Sequence, residues 1–279
     1  LYKHKTQNII SIIGLAVGLL CFCVCIYCSR FVESTDHCFT NHDRIAELNL
    51  YDGKTDRYFS GSPVPLAEDL RTWSLGETEA ISSVTYPRER PYYVELSPEK
   101  MLPYELETIE IDTCYNKIFT PEMVAGHWKM ASQSLNSVIL SQSMAIKIFG
   151  NAESAIGKHM TLMRRLNTSP ESTPKTGGIV YTIQAVMKDI PLNNSLDFMQ
   201  NIDMLTVNDS EGLLQSSKRH NMTGANTYVL LSPQTTCTDL EKQFLKRDYT
   251  YTLYGEAYTV TASSMGARLK KQGASYLGL

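Results

Sequence analysis

Apolar residues are distributed along this chain in two ways. From Asn8 to Ser29 they are continuous: NIISIIGLAVGLLCFCVCIYCS holds no charge and no proline. Its Ile, Leu, Val and Phe residues each favour mid-membrane insertion by roughly 0.3–0.6 kcal/mol. A helix of about 20 residues covers ~30 Å, the thickness of a hydrocarbon core, so residues 8–29 read as a transmembrane helix. A cleaved signal peptide fits less well, because its apolar core is shorter and CSRFVES offers no small-x-small site. A lipoprotein signal would want a small residue where Leu20 precedes Cys21, and a buried globular helix would show a polar stripe. Lys3, His4 and Lys5 precede the run, whereas Arg30, Glu33 and Asp36 follow it. This bias puts residues 1–7 in the cytoplasm and the bulk of the chain outside. Gly14 and Gly18 lie on one side of the helix, a spacing that lets another membrane helix approach closely.

After a polar stalk, 30–44, the apolar positions become periodic. Residues 45–51 alternate as a strand. Ser62-Pro63 reads as an N-cap and first-turn proline for an amphipathic helix over 63–73. Residues 81–96, 107–112 and 137–140 read as strands. Ser141 caps a helix carrying Met144, Ala145, Ile148 and Phe149, closed by Gly150. Strands follow at 157–163, after the Gly157-Lys158 turn, and at 179–190, ended by Pro191. Between them 167–178 is a polar loop, and 208–223 is a second. A short strand is expected at 228–231. A capping-box-like start at Thr236 and Asp239 opens a helix with Cys237, Leu240 and Phe244 inward, and 249–261 returns to strand. Helices and strands mix without βα alternation, so the class is α+β. Residues 45–262 are enough for one large domain or two small ones, with 263–279 as a tail. The chain opens on leucine rather than methionine, so it is expected to be a piece of a longer one.

The net charge of −3 argues against a nucleic-acid partner, since phosphate binding needs a basic face. The 7 cysteines form no disulfide framework: four lie in the apolar run, and a Cys114–Cys237 bridge stays open. Cys21, Cys25 and Cys28 share a helix face, and His37, Cys38, His42 and Asp43 cluster in the stalk. Each set can be read as metal ligands or, more plainly, as small hydrophobes in lipid and a polar spacer; no metal and no cofactor is expected. The segment from Gly150 to Lys158 mimics a phosphate loop but has too many residues between its glycines, and His159 stands where a hydroxyl is needed. Ser97-Pro-Glu-Lys100, Ser134-Leu-Asn136 and Lys175-Thr-Gly177 follow the order of penicillin-recognising serine enzymes. No helical periodicity follows Ser97, however, and the spacing is too short. No catalytic residue is assigned, and the chain is expected not to be an enzyme.

Several segments together resemble the MacB/FtsX-type ABC transporter permeases. Asn8, Ile13, Gly14, Leu15, Ala16, Gly18 and Leu19, then His42, Asp43, Arg44 and Ile45, match the family's "NILGLAIGL" helix and "DRIYR" exit. Asn136–Ala145, with Lys147, Phe149, Gly150 and Ile156-Gly157-Lys158, is similar to "NSVVLSESLAKKYFG…PIGK". Tyr181-Thr182-Ile183, Val186-Met187-Lys188-Asp189-Ile190-Pro191 and Ser195 resemble "YTVTGVLKDIP-x-NS". The match covers most of 8–232; the tail matches less well, and further membrane helices and ATPase motifs are lacking. These motif residues are fold-determining, not catalytic. The resemblance implies one transmembrane helix followed by a two-lobed mixed α/β periplasmic domain. Its membrane-proximal lobe would span about 45–95 and 195–262, with a β-rich lobe inserted at about 96–194. It also implies an inner-membrane location, a homodimer or heterodimer of permeases, a cytoplasmic ABC ATPase, and a periplasmic adaptor or lipoprotein as partner. The alternative is the ectodomain of a single-pass sensor or receptor. Coding sequence downstream of Leu279 separates the two: further apolar runs mean a permease.

Overall fold

In the computed structural model, the chain is described over residues 5–59, 61–73, 75–97, 100–134, 136–162, 178–196, 201–208, 224–253, 255–265 and 267. The polar loop 167–177 and most of 208–223 lie outside these residues, as does Lys175-Thr-Gly177. Helix α1 (Lys5–Glu33) contains the whole apolar run. Its stretch Ile9–Glu33 is long and apolar enough to cross a membrane, and no part of it is buried by the rest of the chain.

Thirteen strands of the described residues form one sheet with two differently built halves. In the first, β3 (Thr78–Thr85), β11 (Ala225–Leu231), β1 (Ile45–Asp52), β13 (Glu256–Ser264) and β12 (Thr250–Leu253) pair in that order, antiparallel throughout. β2 (Arg57–Phe59) lies against the end of β1. Two-residue periodicity sorts the side chains. Ala46, Leu48, Leu50, Val229 and Leu231 point to α2 (Pro65–Arg71) and α6 (Cys237–Lys246), whereas Ile45, Tyr228 and Leu230 enter a different core.

In the second half, strands close into a ring. β4 (Arg88–Ser97) pairs with β5 (Lys100–Ile111), β5 with β10 (Met204–Val207), and β10 with β7 (Ser137–Ser141). β7 then pairs with β9 (Ile179–Met187), β9 with β8 (His159–Leu162), and β8 back with β4. Closure leaves the ring without a free edge. Tyr92, Val94, Leu106, Val138, Met160 and Ile183 are among the side chains of its core, and α5 (Gln142–Phe149) adds Met144, Ala145 and Ile148. β6 (Met123–Gly126) pairs with β9, and Gly126 is required there: at φ +69°, a Cβ would sit 2.2 Å from the Gln184 carbonyl.

The halves meet at a narrow seam. β3 pairs with β5 only at Val84 and Ile111. Across this seam Arg71 of α2 binds the carboxylate of Asp112, at the end of β5. Asp112 is 1% exposed and also accepts from Ser82 Oγ (2.8 Å), the Ser83 amide (2.9 Å) and the Cys114 amide (2.9 Å). A core shared by both halves lies beneath. Val84, Ile109, Ile111, Leu205 and Tyr228 pack there with Tyr115 and Phe119 of α3 (Tyr115–Phe119).

The α+β class is the one that the irregular mixture of patterns predicts. Local signals also act as read: Ser141 Oγ accepts from the Met144 amide, Gly150 ends α5 at φ +85°, and Thr236 with Asp239 forms a complete capping box. Three expectations need correction. The 63–73 helix begins at Pro65, because Ser62 is buried in a bridge to Ala225 with its hydroxyl 2.6 Å from Thr227 Oγ1. The strand expected over 81–96 is two strands, broken at Tyr86-Pro87. Proline has no N–H to continue a ladder, and beyond it the chain changes partner from β11 to β5. Residues 249–261 form a hairpin, turned at Gly255 with φ +82°. Cys114 and Cys237 are free thiols.

Asp112→Ala removes one partner of Arg71, which keeps Glu68 and the Ile81 carbonyl, and leaves the Ser82 hydroxyl and the Ser83 and Cys114 amides without their acceptor at the seam. It should lower unfolding stability by on the order of 3 kcal/mol, read by urea denaturation against a Glu105→Ala control at an exposed position of β5.

Candidate functional site at the helix–domain junction

A helix leaves its last four carbonyls without intrahelical partners. At the end of α1 these groups are met from within the stalk and from a loop far along the chain. The Ser34 amide donates to the Arg30 carbonyl (3.0 Å), and the Thr35 amide to the Val32 carbonyl (3.2 Å). The Phe31 carbonyl accepts from Ser34 Oγ (3.1 Å) and from Asn193 Nδ2 (3.0 Å). Asn193 Nδ2 also donates to Ser34 Oγ (2.8 Å), and Thr35 Oγ1 donates to Asn193 Oδ1 (3.0 Å).

Asp36 stops the helix. Its φ of +69° lies in the left-handed region, which Asp tolerates better than most residues. The turn brings its amide to the Asn193 carbonyl (3.2 Å) and its carboxylate to the Ser195 amide (2.6 Å). The receiving loop is itself braced: Asn194 Nδ2 donates to the Pro191 carbonyl (2.6 Å), and the Leu196 amide to Asn194 Oδ1 (2.8 Å).

From Asp36 the chain descends into the domain. Phe39 is buried in the shared core and meets Phe119 edge-on at 5.3 Å. Asn41 Nδ2 donates to the Lys117 carbonyl (3.3 Å). Arg44 donates to Glu79 Oε1 (2.9 Å), the Leu231 carbonyl (3.0 Å) and Asn41 Oδ1 (3.1 Å). Residues 34–44 are therefore seated against the 191–196 loop, α3 and the ends of β3 and β11, rather than held out as a spacer.

A cavity of about 230 Å³ lies beside this seat, lined by Cys38, Phe39, Tyr115, Phe119, Ile190 and Pro191, with the Lys188–Glu122 ion pair (2.9 Å) at its edge. Desolvation, then the Asp36 carboxylate, pushes the Cys38 thiol above its ordinary value. Burial does the same to Tyr115. Neither group is poised for nucleophilic chemistry at neutral pH. His37 and His42 lie with ring centroids 4.5 Å apart, and His42 Nε2 faces Asp43 at 3.2 Å. Among the described residues no group of three or more His, Cys, Asp or Glu is arranged to hold a metal.

The motif residues fall into three places. Gly14 and Gly18 lie on the open face of α1 with nothing within 4 Å of an added Cβ. Arg44 and Ser195, with Pro191 through the loop it begins, belong to the junction, whereas Asp43 projects to solvent. The parallel pairing of β7 with β9 sets Ser141 opposite Met187. Asp189 thereby reaches the start of α5 and accepts from the Ser143 amide (3.1 Å) and hydroxyl (3.0 Å). Phe149 packs against the ring core, and the Lys158 carbonyl accepts from the Ile183 amide (3.0 Å) after the Gly157 turn at φ +78°. The decoys dissolve: Ser97 and Lys100 are paired strand residues of β4 and β5, and Gly150 to Gly157 is a helix end and a 3-10 turn. Sequence reading missed Asp36, Phe39 and Asn193 as junction residues. Their only local trace is a buried-type phenylalanine inside a polar stretch.

No protein-family model matches this chain, and no curated protein does. Solved structures do. A domain of a permease protein from Porphyromonas gingivalis matches with a TM-score of 0.60 at 20% identity, covering 81% of this chain and 93% of that one. The periplasmic region of MacB from Actinobacillus actinomycetemcomitans matches with a TM-score of 0.52 at 14% identity, covering 86% of this chain and 95% of that one. At these identities the shared property is the fold, that of this permease-protein domain and of the MacB periplasmic region.

Asp36→Ala retains the left-handed backbone and loses the bond to Ser195, and should loosen the junction by about 2 kcal/mol. Asp36→Gly should lose less. Amide exchange of residues 34–40 in nanodiscs reads the difference, with faster exchange in the alanine variant.

Proposed function

We propose that this chain is the first membrane helix and the external domain of a permease subunit of a MacB/FtsX-type ABC transporter, set in the inner membrane with its N-terminus in the cytoplasm. Its role is mechanical. ATP hydrolysis by a cytoplasmic ABC ATPase moves α1, and the junction passes that movement to the two halves of the sheet. The partners are a second permease subunit, identical or related, the ATPase, and a periplasmic adaptor or lipoprotein.

One observation carries this reading: the end of α1 is wired to the domain on several sides. A tether needs only covalent continuity. Force transmission needs a stiff contact, because a flexible spacer absorbs displacement before it reaches the body. Here Asn193 and Asp36 couple the last helical turn to the loop that follows β9, in one half. Arg44 couples the same segment to β3 and β11, in the other. A shift of α1 thus acts on both halves at once, and the narrow seam at Val84 and Ile111 gives them a line about which to move.

The test is made in the full permease with its ATPase. Replacing residues 33–40 by a Gly/Ser linker of equal length should abolish transport-stimulated ATPase activity while the protein remains in the membrane fraction. Unchanged stimulation would defeat the mechanical role.

A further inference from the structure

The loop that grips the end of α1 carries an exposed apolar tip. Pro191 and Leu192 precede Asn193, and Leu192 is 65% exposed although Leu196, four residues on, is buried in the shared core. The height of this tip relative to the membrane follows from α1. About 20 residues from Asn8 span the hydrocarbon, which brings the outer boundary to 27–29. The side chains agree: Tyr27, a residue type enriched at membrane interfaces, stacks on Phe31 with ring centroids 6.2 Å apart. Ser29 ends the run, and Arg30 is the first charged residue after it. Asn193 is bonded to the Phe31 carbonyl and the Ser34 hydroxyl, so Leu192 sits one residue from a group fixed at headgroup level. Exposed Phe31 and Val32 carry the lipid-facing surface of the helix up to the same point.

We infer that the Pro191–Leu192 tip is a second membrane contact, inserting its apolar side chain at the boundary between headgroups and acyl chains beside the helix. The partner is the bilayer itself, engaged through apolar burial. The inference rests on α1 spanning the membrane. It adds that the domain is seated on the lipid surface: Asn193 ties the tip to the helix, so helix and tip enter the bilayer as one unit and set the tilt of the domain.

Depth-dependent fluorescence quenching tests this on the full chain in phosphatidylcholine nanodiscs whose acyl chains are brominated near the carbonyl end. Tyr27→Trp, Leu192→Trp and Met101→Trp are each compared with the unsubstituted protein. Met101 is the control: it lies ten residues along β5 from the junction end of that strand, about 33 Å away. Leu192→Trp is expected to emit at shorter wavelength than Met101→Trp and to lose emission to a degree approaching that of Tyr27→Trp. If Tyr27→Trp is quenched and Leu192→Trp behaves like Met101→Trp, the tip is in water and the inference is overturned while the anchor stands. If Tyr27→Trp is not quenched, the membrane-spanning reading of α1 fails and the inference falls with it.

Discussion

The end of a membrane helix is a physical problem before it is a functional one. Its last carbonyls emerge at the bilayer surface without intrahelical partners, and in most positions water takes them. Here protein groups supply part of that demand: Asn193 reaches the Phe31 carbonyl, and Asp36, turned into the left-handed region, answers with its carboxylate to Ser195. This exchange joins the last turn of α1 directly to the loop that follows β9, while Phe39, Asn41 and Arg44 seat the rest of the segment up to Ile45.

The exchange is stiff because of what lies behind it. Phe39, three residues past Asp36, belongs to the same buried cluster as Val84, Ile111, Leu205 and Tyr228, a cluster that takes residues from both halves of the sheet. The entry of the chain is therefore packed into the one core that the halves share. Each half also has a core of its own, under α2 and α6 or within the ring. Three cores, one of them shared, and a narrow strand pairing thus lie where the helix arrives. The Arg71–Asp112 pair, its carboxylate buried, spans the seam as a directional contact.

No catalytic constellation competes with this reading among the described residues. The polar motif residues are occupied with backbone groups. Ser141 and Asp189, remote in sequence, serve the start of one helix, and Gly150 and Gly157 supply turns at positive φ. Motifs of this kind persist in a fold because helix ends and turns have strict backbone requirements.

What the sequence determined by itself was local or one-dimensional. The apolar run of α1, the Ser141 and Thr236 caps, the Gly150 stop and the alternation of β1 each depend on residues within one or two turns, so spacing alone reveals them. The strand from Met204 to Val207 was not legible, because four consecutive buried residues have no period to read. Neither were the short helices at Tyr115–Phe119 and Trp128–Gln133, which tertiary packing holds below the length at which a helix is stable alone. Only the tertiary structure decided the closure of the ring, since β5 meets β10 across nearly a hundred residues. It alone decided the junction too, where Asp36 and Ser195 are 159 positions apart. A hydrogen bond between groups so distant leaves no periodic trace in either segment, and the fold has to form before the two can meet.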